Sequence, residues 1–175
     1  MASFDVAFGW IMQFEDPQSS CAVTPDAPPA GCSPPCYAIS GINSGAWPDA
    51  FNQIQALPQD QRLQAVHDFY QANFWNTWYD QLSNDHLAKR VFDFAVNGGS
   101  GAAVKCLQRG INALGGNVAV DGGWGPNTVT AANSFDQGAM IQAYVDQRCA
   151  YYQSIVANNP QDAKYLNGWL TRART

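Results

Sequence analysis

FDVAFGWIMQFE, residues 4–15, carries the clearest helical pattern in the chain. Apolar residues recur at i, i+4 and i+7 and form one stripe, which consists of Phe4, Phe8 and Ile11. The next position on that stripe is Glu15, the only glutamate in 175 residues. Asp16-Pro17 follows and ends the helix, because proline disfavours helical geometry in the residue before it. The pattern predicts a helix that turns a single glutamate inward at its last turn.

A glutamate in this position is a candidate general acid. Burying a carboxylate is costly unless the group is paired or stays protonated. A protonated glutamate in an apolar cleft is what a general acid for glycoside cleavage requires. The alternative is a helix-end glutamate that bends out to solvent. We predict that Glu15 is catalytic and that activity falls at high pH as it loses its proton.

The composition favours a polar, uncharged ligand such as a glycan. The chain contains six Trp, seven Tyr and nine Phe, while charged residues make up only 13%, about half the usual share. The net charge is −5 and no basic run is present, so nucleic acid and anionic membrane surfaces are excluded as expected partners. No apolar stretch reaches membrane-spanning length, so membrane insertion is not expected. A chain of this length suits one domain, or one domain with a small subdomain.

Five cysteines bear on the compartment, and three of them (Cys21, Cys32 and Cys36) lie in one segment. We expect a disulfide from Cys21 to Cys32 or Cys36, which implies an oxidising compartment. The spacing of these cysteines does not match a zinc site, so we expect neither a metal nor another cofactor. The sequence shows no secretory signal peptide. We therefore expect action in the periplasm or outer wall after export by a specialised secretion system or release by lysis.

The segment from residue 16 to residue 47 is predicted to be a long loop without regular structure. Loops of that length are usually functional in compact domains, and a disulfide would staple this one. Its place directly after Glu15 favours the wall of a cleft. The only short strand signal in the chain lies at residues 117–120.

The rest of the chain is predicted to be helical, which makes the fold class all-α. Helices are expected to begin at Pro48 and to cover residues 58–79, 86–96, 102–114, 126–132, 139–158 and 162–172. Gly115 is expected to cap the helix before it in a left-handed conformation. Cys106 and Cys149 each lie on a predicted helix and are candidates for a second disulfide.

Several side chains are candidates for substrate contact. Trp75 and Tyr79 lie off the centre of the apolar stripe of their helix, where an aromatic ring can lie against a sugar. Asp93 and Asn97 flank a helix end just before the glycine-rich residues 98–101. Such polar groups line a site or simply tie the turn, and the sequence leaves both open.

Five strings in order suggest a family: Tyr37-Ala38-Ile39-Ser40 after the Glu15 helix, VFDFAVN (91–97), AVKCLQRGINALG (103–115), VDGGWGPNTVTA (120–131) and GWLTRA (168–173). Together they resemble glycoside hydrolase family 108, the N-acetylmuramidases of phages and bacterial lysins. The resemblance implies a lysozyme-like helical region at residues 1–98. A peptidoglycan-binding-like helical region at 99–175 would pack on it.

The resemblance also assigns roles to residues. It carries the catalytic glutamate onto Glu15, although Asp16-Pro17 replaces the family's Gly-Gly-Tyr. Asp26 is the best match for a second carboxylate and Asp16 the next. Tyr37 falls in the segment that resembles the end of the family's loop and is a candidate for substrate contact.

The expected function is hydrolysis of peptidoglycan glycan strands, by a cell-wall lysin or a secreted antibacterial effector. Retention and inversion both stay open, because the separation of the carboxyl groups decides between them. A lytic transglycosylase and a non-catalytic peptidoglycan-binding module are the alternatives. An injected effector would also endanger sister cells, so this route implies an immunity protein that blocks the cleft. Opposite charge on that protein would speed its association with this acidic chain.

Overall fold

The computed structural model describes residues 1–29 and 32–175. Their secondary structure, in chain order, is α1 (Phe4–Glu15), β1 (Val23–Asp26), β2 (Cys36–Ile39), β3 (Ile42–Asn43), α2 (Pro48–Ala56), α3 (Gln59–Phe74), α4 (Thr77–Asp80), α5 (Asp85–Gly98), α6 (Ser100–Ala113), α7 (Pro126–Ser134), α8 (Gln137–Asn158), a 3₁₀-helix (Pro160–Asp162) and α9 (Ala163–Arg174). The described chain divides into two compact units. The sheet unit is Phe8–Trp75, and the helical unit is Met1–Ala7 with Asn76–Thr175.

The prediction of an all-α fold is wrong in one segment, because a small antiparallel sheet with strand order β1-β2-β3 occupies the predicted loop. Residues 30 and 31 of that loop lie outside the described residues. Strands β2 and β3 form a hairpin whose two-residue turn is Ser40-Gly41, with φ of 46° and 81°. Positive φ at both turn residues matches the right-handed twist of the strands. The expected strand at 117–120 is irregular.

The prediction of disulfides is also wrong, since all five cysteines are free. In the sheet unit each thiol has a different neighbour. Cys21 Sγ lies 3.5 Å from the Ser40 hydroxyl, Cys32 Sγ lies 3.3 Å from the Gly45 carbonyl oxygen, and Cys36 Sγ lies 3.7 Å from the Ser33 carbonyl oxygen. The inference of an oxidising compartment therefore loses its support.

Cys106 and Cys149 do not bridge their helices either. Cys106 is fully buried, and burial raises the pKa of its thiol to about 11. A thiol with so high a pKa behaves as a small apolar side chain rather than as a nucleophile.

Most predicted helices form, and the helix expected at 58–79 is divided. Trp75 adopts extended geometry at the end of α3, and the Asn76 side chain accepts a 3.0 Å hydrogen bond from the Trp78 amide. An asparagine at an N-cap position starts a new helix by satisfying an amide that would otherwise lack a partner. Gly115 has φ of 92°, as expected for a left-handed cap.

The core of the helical unit forms where α6 packs against α5 and α8. Gly110 permits the close approach of α6 and α8, because a Cβ at this position would lie 3.0 Å from Met140 Cε and 3.3 Å from the Tyr144 amide nitrogen. Helix α5 packs on α6, and both belong to the helical unit. Among the described residues, none of the helices combines the length and the hydrophobicity that a membrane span requires.

Candidate active site

Glu15 ends α1, and the apolar stripe that predicts this helix is buried. Phe8 is 9% exposed and packs on α3, with its ring 6.0 Å from the ring of Tyr70. Ile11 is fully buried. Glu15 itself is half-buried.

The Ser40-Gly41 turn lies directly against the Glu15 carboxylate. A Cβ on Gly41 would stand 2.7 Å from Glu15 Oε2 and 2.6 Å from the Tyr70 hydroxyl oxygen. Real side chains do not tolerate such distances, and φ of 81° also favours glycine. Glycine at position 41 therefore leaves the space that the carboxylate and the hydroxyl occupy.

Tyr70 and Asp16 hold the turn from two sides. The Tyr70 hydroxyl donates a 2.9 Å hydrogen bond to the Ser40 carbonyl oxygen. The Ser40 hydroxyl donates a 2.8 Å hydrogen bond to Asp16 Oδ2. Asp16 follows Glu15 in the chain, so the same network fixes the end of α1 and the tip of the hairpin.

The Asp16 carboxylate is fully engaged. It accepts hydrogen bonds from the Ser20 amide (3.1 Å), the Ser20 hydroxyl (3.1 Å) and the Cys21 amide (2.7 Å), besides the one from Ser40. Partial burial alone would raise the pKa of Asp16, but hydrogen bonds from Cys21, Ser20 and Ser40 outweigh it and hold the pKa below its usual value. We call the Asp16 carboxylate, in its ionised form and with these four hydrogen bonds, the Asp16 clamp.

Asp26 lies at the other end of the sheet from the turn. Its position on β1 pairs with Cys36, whereas Val23 pairs with Ile39 beside the turn, which is about 10 Å away at the usual strand rise. Asp26 is exposed and accepts a 2.7 Å hydrogen bond from the Asn43 amide group. The carboxylate therefore stands at the far rim of the hairpin.

The two aromatic candidates of the sheet unit are accessible. Tyr37 is 40% exposed, and its backbone pairs with that of Pro25 on the edge strand β1. Trp75 is half-buried where α3 ends. Both rings therefore present surface to solvent.

The three candidates for substrate contact in the helical unit make contacts within that unit. Tyr79 is fully buried with its ring 4.9 Å from that of Trp124, and burial raises the pKa of its hydroxyl far above its usual value. Asp93 is fully buried between Arg148, at 2.7 Å, and Arg172, at 2.7 Å. Asn97 donates a 2.8 Å hydrogen bond to the Asp93 carbonyl oxygen and so ties the helix end.

The glycine-rich segment after α6 is organised by the buried side chain of Gln108. Its amide group donates to Asp121 Oδ1 at 2.8 Å and to the Gly123 carbonyl oxygen at 3.0 Å, and its oxygen accepts from the Gly122 amide at 2.9 Å. This network shapes a depression of about 480 Å³ beside Trp124.

Sequence reasoning missed Ser40, Gly41 and Tyr70. A signal was present for the first two, because two apolar runs separated by exactly two turn residues such as Ser-Gly indicate a hairpin. The spacing of Tyr70 with Val66 and Phe74 predicts a core position on its helix, but the partner of its hydroxyl depends on the fold. In the part of the chain described, no group of His, Cys, Asp and Glu is arranged to hold a metal ion.

These observations define a mostly helical protein with a half-buried glutamate packed against a hairpin turn. A protein family described as "Predicted Peptidoglycan domain" matches residues 102–174, which cover α6 to α9. The solved structure of Brucella abortus SagA has a similar fold, with a TM-score of 0.68 and 21% identity over 98% of this chain and 89% of that one. Curated protein sequences give no significant match.

Proposed function

We propose that this protein cleaves the glycan strand of peptidoglycan as a muramidase of the lysozyme type, with Glu15 as its general acid. The observation that carries the proposal is the packing of the carboxylate of Glu15, a half-buried residue, against the Gly41 turn. An acid held in a fixed place beside a glycosidic oxygen transfers its proton as the bond breaks. The match of residues 102–174 to a peptidoglycan domain supports the substrate class.

In the proposed reaction Glu15 gives its proton to the leaving oxygen while the bond from that oxygen to C1 of the sugar breaks. Positive charge develops on C1, a water molecule adds there, and the proton released by that water returns to Glu15. Asp26 is the proposed second carboxylate, acting on the water or on the developing charge. Tyr37 and Trp75 are the proposed sugar contacts, since both rings are accessible.

A lytic transglycosylase is the second candidate, and the state of the two aspartates favours it. Asp16 is occupied by four hydrogen bonds, and Asp26 is bound to Asn43 at the far rim of the hairpin. Glu15 would then act as both acid and base. The C6 hydroxyl of the same sugar would replace water at C1 and leave a 1,6-anhydro product.

We also propose that the protein acts on the cell wall and that a cognate immunity protein guards its producer. The net charge of −5 would speed the approach of a positively charged inhibitor. Expression with and without a periplasmic leader tests the site of action. Toxicity only with the leader would support it, and equal tolerance of both folded forms would contradict it.

Digestion of purified peptidoglycan by the unmodified protein and by Glu15→Gln, with product masses recorded, tests the activity. We expect the variant to lose at least about two orders of magnitude in rate while its circular dichroism is unchanged. A reducing-end product indicates hydrolysis, and a product lighter by one water indicates the transglycosylase. A variant that retains most activity would show that Glu15 is not the acid.

A further inference from the structure

A groove of about 750 Å³ runs between α2 and α3 in the sheet unit. It is separate from the Glu15 site, because neither Glu15, Gly41 nor Tyr70 lines it. The lining residues on its α2 side run from Asp49 to Leu57, the residue that follows α2, a length of about 12 Å at the helical rise. The groove is therefore long enough for an extended side chain with part of its backbone.

The floor of the groove is apolar. Ile54 from α2 and Leu57, the residue after that helix, line it together with Ala65 and Phe69 from α3. Trp47 forms one wall, is 38% exposed, and packs edge-on against Phe69 with ring centroids 5.1 Å apart. The aromatic wall is thus held in place from one side while part of its surface meets solvent.

The rim of the groove is polar and carries only negative charge. Asp49 and Gln53 stand on α2, and Asp68 and Asn73 stand on α3. All four are exposed, and the side chain of Asp68 is 65% exposed. None of the described residues that line the groove is Lys, Arg or His.

One rim carboxylate is already oriented. Asp68 Oδ1 accepts a 2.8 Å hydrogen bond from the Gln64 amide group and lies 3.2 Å from His67 Nδ1. These contacts reduce the freedom that the Asp68 side chain would lose on binding a ligand.

We propose that this groove binds an alkylammonium group, the side chain of lysine or of a related diamino acid in a peptide. The methylene stem would lie on the apolar floor while the ammonium reaches the rim, which is how such side chains divide between apolar and polar surroundings. Asp49 and Asp68 supply charged acceptors, and the Trp47 ring adds cation–π attraction. An anionic ligand would be repelled, and a neutral sugar would gain no charge-assisted bond from the two carboxylates.

The biological reading of this site rests on the proposed function. Peptide stems of peptidoglycan contain a diamino acid whose amine is free where strands are not cross-linked. The groove would then hold such stems and direct the enzyme to uncross-linked strands. Binding of the peptide itself requires no glycan cleavage, so the two proposals are tested separately.

The test is an NMR titration of the full chain with the tripeptide Ala-γ-Glu-Lys, capped by an acetyl group at its N-terminus, and with the same capped peptide acetylated at Nε. We expect the tripeptide to shift the indole N–H of Trp47 and the side-chain amide of Gln53. Acetylation at Nε removes the positive charge of the lysine side chain. We expect it to weaken binding at least about tenfold, the scale of one charge-assisted hydrogen bond.

The unmodified protein should bind the peptide with the free lysine amine more tightly than the Nε-acetylated peptide. The double variant Asp49→Asn/Asp68→Asn should bind the two peptides equally. Asp60→Asn is the matched control, since Asp60 is an exposed carboxylate on α3 that does not line the groove. Equal affinity of the unmodified protein for both peptides would overturn the proposal. So would shifts at these groups caused by a neutral N-acetylglucosamine trimer and not by the tripeptide. Loss of activity in Glu15→Gln has no bearing on either outcome.

Discussion

The Tyr70 hydroxyl donates a 2.9 Å hydrogen bond to the carbonyl oxygen of Ser40. Tyr70 is 2% exposed on α3, and Ser40 begins the turn that lies against Glu15. A buried hydroxyl on one helix therefore sets the position of the turn that confines the candidate acid.

Tyr70→Phe should lower the free energy of unfolding by about 1 kcal/mol, because the Ser40 carbonyl oxygen loses a buried partner. We expect kcat to fall while KM changes little, since Tyr70 acts on the position of Glu15 and not on substrate binding. Steady-state kinetics and urea unfolding check this. Tyr165→Phe is the control because that side chain is 49% exposed. An unchanged kcat would contradict the positioning role.

Gly41→Ala should reduce activity by about one to two orders of magnitude, the scale of a misplacement near 1 Å. The added Cβ would lie 2.7 Å from Glu15 Oε2. The left-handed backbone conformation would lower the stability of the alanine variant by a further amount of about 1–2 kcal/mol. Gly9→Ala is the matched control, because Gly9 lies within α1 and a Cβ there meets nothing within 4 Å. We expect that control to be active and slightly more stable. Full activity of Gly41→Ala would show that the turn does not confine the acid.

Asp16→Asn should remove a pH dependence of stability. The pKa of Asp16 is lower in the folded chain than its usual 3.8, so its ionised form stabilises the fold above that pH. This contribution is lost as the pH falls through the folded pKa. Urea unfolding at a series of acidic pH values should show the loss for the unmodified protein and a flatter profile for the variant. Parallel profiles would mean that the clamp adds no stability.

Arg148→Met should lower the free energy of unfolding by about 1–3 kcal/mol, because buried Asp93 loses one of its two arginine partners while Arg172 remains. Arg148 is 1% exposed, and its guanidinium also lies 4.9 Å from the ring of Phe94. Arg109→Met is the control, since Arg109 is exposed, and we expect a change within about 0.5 kcal/mol. If both variants lost a similar amount of unfolding free energy, the buried ion pair of Arg148 with Asp93 would not be an important source of stability.

The helices were predictable because their signals are local. The stripe of Phe4, Phe8 and Ile11, the proline after Glu15 and the cap at Gly115 each act within a few residues. The division of the helix at Asn76 was missed, since an aromatic stripe continues through the break and only the capping side chain marks it.

The pairing of the strands and the free state of the cysteines could not be predicted from local signals. Proline at position 25 and the short runs around Ser40 weaken strand signals, and the pairing partner of β1 lies beyond a proline-rich segment. Whether two cysteines bridge depends on the direction of their side chains, which spacing alone does not give.

The candidate site was predictable in part. Glu15 followed from its place on the stripe, and the structure puts it at the end of α1. The hydrogen bonds from Ser40 to Asp16 and from Tyr70 to Ser40 could not be predicted, because they join residues 24 or more positions apart. Asp93 was singled out by its place near a helix end, and its partners, Arg148 and Arg172, come from distant helices.

The five free thiols differ in accessibility in a way that suits chemical labelling. Cys32 is exposed, whereas Cys21, Cys36, Cys106 and Cys149 are buried. A maleimide fluorophore added to the folded protein should therefore attach at Cys32 without any cysteine being removed by mutation. Because the Cys32 thiol lies 3.3 Å from the Gly45 carbonyl oxygen, the dye would report from the segment that follows the hairpin.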